Sequence, residues 1–227
     1  MTISIIPNPP ELITHPDLFD EAGTLQPMPA EFWAKMPRKS RQVFGHYHGL
    51  YSFPTVELIA TLKAMLPAAT LEIGAGNGGY CKALGIRGTD SYLQERAEIK
   101  AHLALQGQPP VKYGAHVEKI DGNEAVKKYR PAAVLGAWIT HRFDPLHPEL
   151  GGNAYGVNER QLIDRAYVEQ YFFIGNSGTH RNKPLLQELA TQKITSHIVD
   201  VQPLADCSRA AGGIDFLAVI TRRREVF

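Results

Sequence analysis

The chain has 227 residues, 44% of them apolar, which is enough for one sizeable core and too many for a disordered chain. Its 24 basic and 23 acidic residues give a net charge of +1, so no bulk field draws it to nucleic acid or to an anionic membrane surface. Two cysteines, Cys81 and Cys207, cannot build a disulfide scaffold and fit a reducing compartment. The longest apolar run, Pro131 to Ile139, is far shorter than the ~20 residues of a membrane span, and the first residues lack the basic and apolar regions of a signal peptide. These features predict a soluble, cytoplasmic protein with no membrane partner.

Eight of the sixteen prolines fall within the first 54 residues, so this quarter cannot hold long regular elements. It reads as an N-terminal arm, residues 1–51, with short helices over Ala30 to Met36 and Ser40 to Tyr47. Such an arm wraps a core, caps a site or remains a partly ordered tail. Arg38, Lys39 and Arg41 read as a solvated helix start. His46 and His48 form a His-x-His pair without nearby carboxylate or cysteine partners, which is a poor metal signal, and no metal is expected. An aromatic cap with Tyr51 and Phe53 turned toward a ligand fits this stretch better.

From Ser52 onward the pattern is regular. Ser52, Phe53 and Pro54 read as the opening of a helix with Val56, Ile59, Leu62 and Leu66 on one face, stopped by Pro67. Ala69 to Ile73 is a strand, Tyr80 to Leu84 a helix, and a second strand runs from near Ile86 to Asp90. Leu93 to Leu105 reads as a charged amphipathic helix ended by Gly107 and Pro109-Pro110. Val117 to Ile120, Ala132 to Trp138 and Tyr171 to Ile174 are strands, alternating with helices at Asn123 to Tyr129, Asn158 to Val168 and Pro184 to Thr191. His197 to Val201 and Phe216 to Thr221 are the last two strands, with no helix between them, and they are expected to pair antiparallel. The closing Arg222-Arg223-Arg224 reads as solvated or as the charged edge of a strand. Alternation of strand and helix predicts an α/β domain, residues 52–227: a parallel sheet covered on both faces.

Leu71-Glu72-Ile73-Gly74-Ala75-Gly76-Asn77-Gly78 is the most informative segment. A glycine-rich turn between a strand and a helix lets backbone approach a ligand closely. Gly74, Gly76 and Gly79 alone satisfy the dinucleotide pattern G-x-G-x-x-G, a weak signal. With Glu72 two positions before the first glycine and a third glycine at spacing G-x-G-x-G, the segment resembles motif I of the class I S-adenosylmethionine-dependent methyltransferases. The resemblance runs over roughly Ser52 to Arg222. It takes in Asp90 and Asp121 at the tips of the second and third strands, and the final strand pair without a crossover helix.

The resemblance implies a seven-stranded, doubly wound, mostly parallel sheet with an antiparallel final strand, binding S-adenosyl-L-methionine. Glu72 and the loop Gly74, Ala75, Gly76, Asn77 and Gly78 would hold the methionine end of the cofactor. Asp90 would accept from the ribose hydroxyls, and Asp121 would meet the adenine amino group with Gly122 or Ile120 beside the ring. For either aspartate, the alternative is a helix cap or turn.

At the fourth strand tip, Ala137-Trp138-Ile139-Thr140-His141 contains neither the Asn/Asp-Pro-Pro-Tyr tetrad of amino-directed DNA methyltransferases nor a Pro-Cys pair. Direct transfer to another nucleophile remains, with His141 the first candidate base and His180 the second. Either histidine could instead serve its local loop. Trp138 packs on cofactor or substrate, or closes the core. The reading is methyl transfer to a small-molecule acceptor, with nucleic acid not indicated and the arm over the substrate side of the mouth. A non-catalytic S-adenosylmethionine-binding protein and a nicotinamide-dependent enzyme are the other two readings.

Overall fold

The structure, a computed structural model, describes residues 14–223; Pro7, Pro9, Pro10 and Arg224 of the sequence reading lie outside them. Seven strands form one sheet: β1 (Thr70–Ile73), β2 (Arg87–Asp90), β3 (Val117–Lys119), β4 (Ala133–Ala137), β5 (Gln170–Asn176), β6 (His197–Pro203) and β7 (Asp215–Arg222). Their order is β3-β2-β1-β4-β5-β7-β6. Only β7 runs against the others, pairing antiparallel with both β5 and β6. Chain order reverses between β1 and β4, so the loops leaving these two strands diverge and open a crevice at their C-terminal ends.

Helices α1 (Ala30–Ala34) and α2 (Arg38–His48) occupy the arm, and α3 (Val56–Met65) leads into β1. The crossovers carry α4 (Gly79–Leu84), α5 (Ala97–Leu105), α6 (Gly122–Tyr129), α7 (Glu159–Ile163) and α8 (Pro184–Ala190). β5 shows how the sheet is buried on both sides. Tyr171 and Phe173 join Val126, Leu162 and Leu185 on one face, whereas Phe172 and Ile174 join Leu58, Leu62 and Tyr80 on the other. Each such side chain contributes about 1.5–3 kcal/mol of burial.

Two expected helices are shorter than their sequence patterns. Leu93 to Leu105 breaks at Arg96 (φ −65°, ψ 139°), leaving a 3-10 turn at Leu93–Glu95 before α5. The turn is held from outside, because the Gln94 N–H donates to the Tyr113 hydroxyl at 3.1 Å. α7 stops at Ile163 instead of reaching Val168, because Arg222 takes the carbonyls of Ile163, Arg165 and Val168. Arg222, expected to be solvated or the charged edge of a strand, ends β7 and fastens a helix end to the sheet.

α3 starts three residues later than expected. Thr55 is its cap, with Oγ1 accepting the Leu58 N–H at 3.1 Å. Ser52 and Phe53 are committed elsewhere: Ser52 bridges Ser208, and the Phe53 N–H donates to the Cys207 carbonyl at 2.7 Å. Val56 is therefore exposed, and Leu58, Ile59 and Leu62 form the buried face.

The arm has its own apolar cluster, in which Trp33 stacks on Phe53 at 4.4 Å with Phe44, Leu18, Leu25 and Leu50 around them. Its packing continues past the expected boundary at residue 51. Arg41, expected on a solvated helix start, is 3% exposed; it donates to the carbonyls of Trp33 and Met36 and pairs with Asp206 in the β6–β7 loop. A buried guanidinium that caps α1 and meets a carboxylate outside the arm welds the arm to the sheet domain. No helix among the described residues is long and apolar enough to cross a membrane.

Candidate cofactor site

The glycine loop leaves β1 at the reversal point with three glycines at positive φ: Gly74 at 64°, Gly76 at 53° and Gly78 at 83°. Two of them show why a side chain is excluded. A Cβ on Gly74 would stand 2.6 Å from Ile139 Cγ2, and one on Gly78 would stand 2.3 Å from His116 Nε2. The loop is held in shape by the next strand. The Ala75 N–H donates to the Thr89 carbonyl, and the Gly76 N–H donates to Asp90 Oδ2, both at 2.9 Å.

Glu72 lies beneath this loop, 1% exposed, with Oε2 buried and lacking any hydrogen-bond partner among the described residues. Burial pushes its carboxyl up to about 8, opposed only by hydrogen bonding from Cys81. Glu72, Gly74, Gly76, Tyr51, Val111 and Ala137 wall a crevice of about 70 Å³. That is well below the ~300 Å³ at which ligand pockets begin, so the crevice is narrow and has to widen to take a nucleoside-sized ligand.

Two segments narrow it. Asn77 reaches into the arm, where Oδ1 accepts the Leu25 N–H at 2.5 Å and Nδ2 donates to the Gly23 carbonyl at 2.9 Å. Leu25, Gly49, Leu50 and Tyr51 of the arm therefore line the same crevice as the glycine loop. This corrects the expectation that the arm stands on the substrate side alone. The second segment is a strap, residues 106–116, between α5 and β3. The Gly114 N–H donates to the Gly76 carbonyl at 3.2 Å, Asn77 Nδ2 reaches the Lys112 carbonyl at 3.3 Å, and His116 Nε2 meets the Gly78 carbonyl. Tyr51 latches arm to strap, its hydroxyl accepting from Gln94 Nε2 and Gln108 Nε2 at 3.1 and 3.2 Å. Tyr113 of the strap stacks on Tyr92 at 4.0 Å.

The other predicted residues separate into groups. Asp90 accepts backbone N–H groups from Gly76 and Tyr92, one on each oxygen, and burial raises its carboxyl above the ordinary value. Each oxygen retains a further lone pair. Asp121 is the cap of α6, where Oδ1 accepts from the N–H groups of Asn123 and Glu124. Gly122 begins that helix, and a Cβ placed on it would stand 3.4 Å from Ile73. Phe53 is fully buried in the arm cluster and cannot touch a ligand, which corrects its place in the aromatic cap; Tyr51 does line the crevice.

Trp138, directly after β4, adopts φ 57°, a conformation that costs a non-glycine residue on the order of 1–3 kcal/mol. Its ring meets Tyr51 at 6.3 Å and, in a T-shaped contact, His180 at 5.1 Å, and its indole N–H is buried without a hydrogen-bond partner among the described residues. His180 is not positioned as a base. Its Nδ1 accepts the Asn176 N–H at 2.9 Å, which places the ring proton on Nε2. Burial, reinforced by Lys183, lowers it to about 4. His141 does not wall the crevice. It lines a second cavity with Glu159, Pro184 and Leu185, its Nε2 buried without a hydrogen-bond partner among the described residues, and burial followed by Lys183 holds it below its ordinary range. His46 meets the Gly107 carbonyl, and His48 packs against Phe19 and Phe44. No metal-holding group of three or more His, Cys, Asp or Glu exists among the described residues.

Sequence reasoning missed the charged group behind the β4 tip. Lys183 and Glu159, 1% and 3% exposed, pair at 2.8 Å; Lys183 also donates to the Ile139 carbonyl, and Glu159 accepts the Tyr171 hydroxyl at 2.6 Å. The residues are far apart in sequence and carry no local pattern. The strap had a signal, the Pro109-Pro110 pair that ends α5, but nothing in the sequence said where it lies.

No family model and no curated protein matches this chain. Among solved structures, a putative methyltransferase from Streptococcus mutans in complex with SAH is 15% identical with a TM-score of 0.42, over 74% of this chain and 97% of that one. The 23S rRNA methyltransferase ErmE is 15% identical with a TM-score of 0.42, over 75% of this chain and 69% of that one. DNMT2 of Spodoptera frugiperda is 13% identical with a TM-score of 0.39, over 70% of this chain, which spans about half (51%) of that protein. The fold rests on the strand order and the antiparallel β7.

Proposed function

We propose that the glycine-loop crevice binds S-adenosylmethionine and that the protein transfers its methyl group to a small-molecule acceptor. The observation that carries this reading is Glu72, a buried carboxylate with an unpartnered oxygen at the floor of a glycine loop. Such a group calls for a cationic or donor-bearing ligand.

When bound, the cofactor supplies a methyl group already activated on a sulfonium. The protein's residues then hold and exclude. Glu72 would face the positive end, the glycines would admit backbone closely, and the free lone pairs of Asp90 would suit ribose hydroxyls. Arm and strap would exclude water and orient the acceptor. Neither His180, with its proton fixed, nor His141, outside the crevice, is placed to take a proton there. Transfer then relies on alignment with an acceptor that is already nucleophilic. A near-zero net charge favours a small molecule over RNA or DNA.

The test is formation of S-adenosylhomocysteine by the purified protein with fractionated small-molecule extract. Turnover that depends on a low-molecular-weight fraction supports the reading. Turnover only with added RNA would move the acceptor to nucleic acid, and tight cofactor binding without turnover on either would leave the non-catalytic alternative.

A further inference from the structure

A separate cavity of about 290 Å³ opens at the tips of β2 and β3, walled by Ser91, Arg96, Asp121, Arg142 and Tyr155 among others. It is larger than the glycine-loop crevice and near the ~300 Å³ of ordinary ligand pockets. Its chemistry is unbalanced. The Arg142 side chain has no hydrogen bond, ion pair or ring contact with any described residue, although its backbone is pinned by the bridge to Asn153 and by donation to the Val157 carbonyl. Arg96 lies over the face of Tyr155 at 4.4 Å, and its one carboxylate neighbour among the described residues, Glu98, stands at 4.0 Å. Asp121 is the single acid in the wall, and its Oδ1 is committed to the first turn of α6.

Two guanidiniums against one committed carboxylate leave the cavity net positive. Guanidinium forks favour planar or tetrahedral oxyanions, which each can bind through two N–H groups. A phosphate monoester, with nearly two charges at neutral pH, matches a pair of them. We propose that this cavity is a binding site for the phosphate of a small phosphorylated ligand, held by Arg142 and Arg96, with Ser91 available to donate a further hydrogen bond. Tyr155 keeps the Arg96 head in place while the site awaits an anion.

The inference does not rest on the methyl-transfer reading, and its test omits S-adenosylmethionine. Inorganic pyrophosphate is titrated calorimetrically into the full chain at low and moderate salt. Saturable binding, weakened at least tenfold in both Arg142→Ala and Arg96→Ala and unchanged in Lys63→Ala, is the expected result. Lys63 is an exposed cation on α3 that controls for loss of bulk charge. Absence of saturable binding overturns the proposal, as does binding unaffected by the two arginine substitutions or equally lost in Lys63→Ala. Circular dichroism of each variant verifies that these exposed substitutions leave the fold intact. Loss of S-adenosylmethionine binding with pyrophosphate binding preserved would count against the function proposed above and not against this site.

Discussion

The side-chain amide of Asn77 is bonded to the backbone of Leu25, 52 residues away, and this contact makes the arm a wall of the glycine-loop crevice. Asn77→Ala leaves the Leu25 N–H and the Gly23 carbonyl unpaired at a partly buried junction. A loss of about 1–3 kcal/mol in urea unfolding is expected, together with weaker S-adenosylmethionine binding. Unchanged stability and affinity would mean that the arm closes the crevice without this tie.

Glu72 gives a pH dependence with a definite sign. Its carboxyl is pushed up to about 8 in the fold from an ordinary value of 4.5, so the native state holds a proton that the unfolded chain has released between those limits. Its contribution to stability is full below pH 4.5 and falls as pH rises to about 8. Glu72→Gln should flatten that part of the stability profile. A cationic ligand favours the ionised form, so S-adenosylmethionine binding at pH 7 should release up to one proton from this site. Calorimetry in buffers of different ionisation enthalpy measures it; equal proton release by Glu72→Gln would exclude Glu72 as the source.

The strap must move for a nucleoside-sized ligand to enter a 70 Å³ space. Gln94 holds it by accepting the Val111 N–H at 2.8 Å and ties this contact to the arm by donating to the Tyr51 hydroxyl. Gln94→Ala should accelerate hydrogen exchange across residues 106–116 on the order of tenfold, equivalent to about 1.4 kcal/mol of lost protection. In the unmodified protein, saturating S-adenosylmethionine should alter exchange in the same segment. No change there would show that the ligand enters by another route.

The Lys183–Glu159 pair predicts an asymmetric response to substitution. Lys183→Met leaves the Glu159 carboxylate buried with only the Tyr171 hydroxyl and should cost about 3–5 kcal/mol in urea unfolding. Lys183→Met combined with Glu159→Gln removes both charges and should recover much of that loss. If the double variant is no better than the single one, the loss comes from apolar packing around Lys183 and not from the stranded charge.

The sheet was legible in the sequence because its signals are local. β-branched and aromatic runs mark β5 and β7, a short apolar run marks β4, and the missing helix between Gln202 and Ile214 announced the antiparallel end. Glu72, Asp90 and the glycines were legible as one motif for the same reason. Side-chain direction was not. His141 sits one strand-tip away from the crevice yet turns into the cavity beside Lys183, and Phe53 is drawn into the arm by Trp33. Arg41 and Arg222 looked like surface charge because their partners, Asp206 and the carbonyls after α7, lie 165 and 54 to 59 residues away.

The most direct test of the central claim is calorimetric titration of S-adenosylmethionine, and separately of NADH, into the folded protein and into Gly76→Val. Valine at φ 53° is strained, and its side chain would project beside Val111 into the crevice. The account predicts one-to-one binding of S-adenosylmethionine to the unmodified protein, no saturable binding of NADH, and loss of the S-adenosylmethionine signal in a Gly76→Val protein whose circular dichroism is unchanged. A folded protein that fails to bind S-adenosylmethionine, or that binds it equally well with valine at position 76, contradicts it.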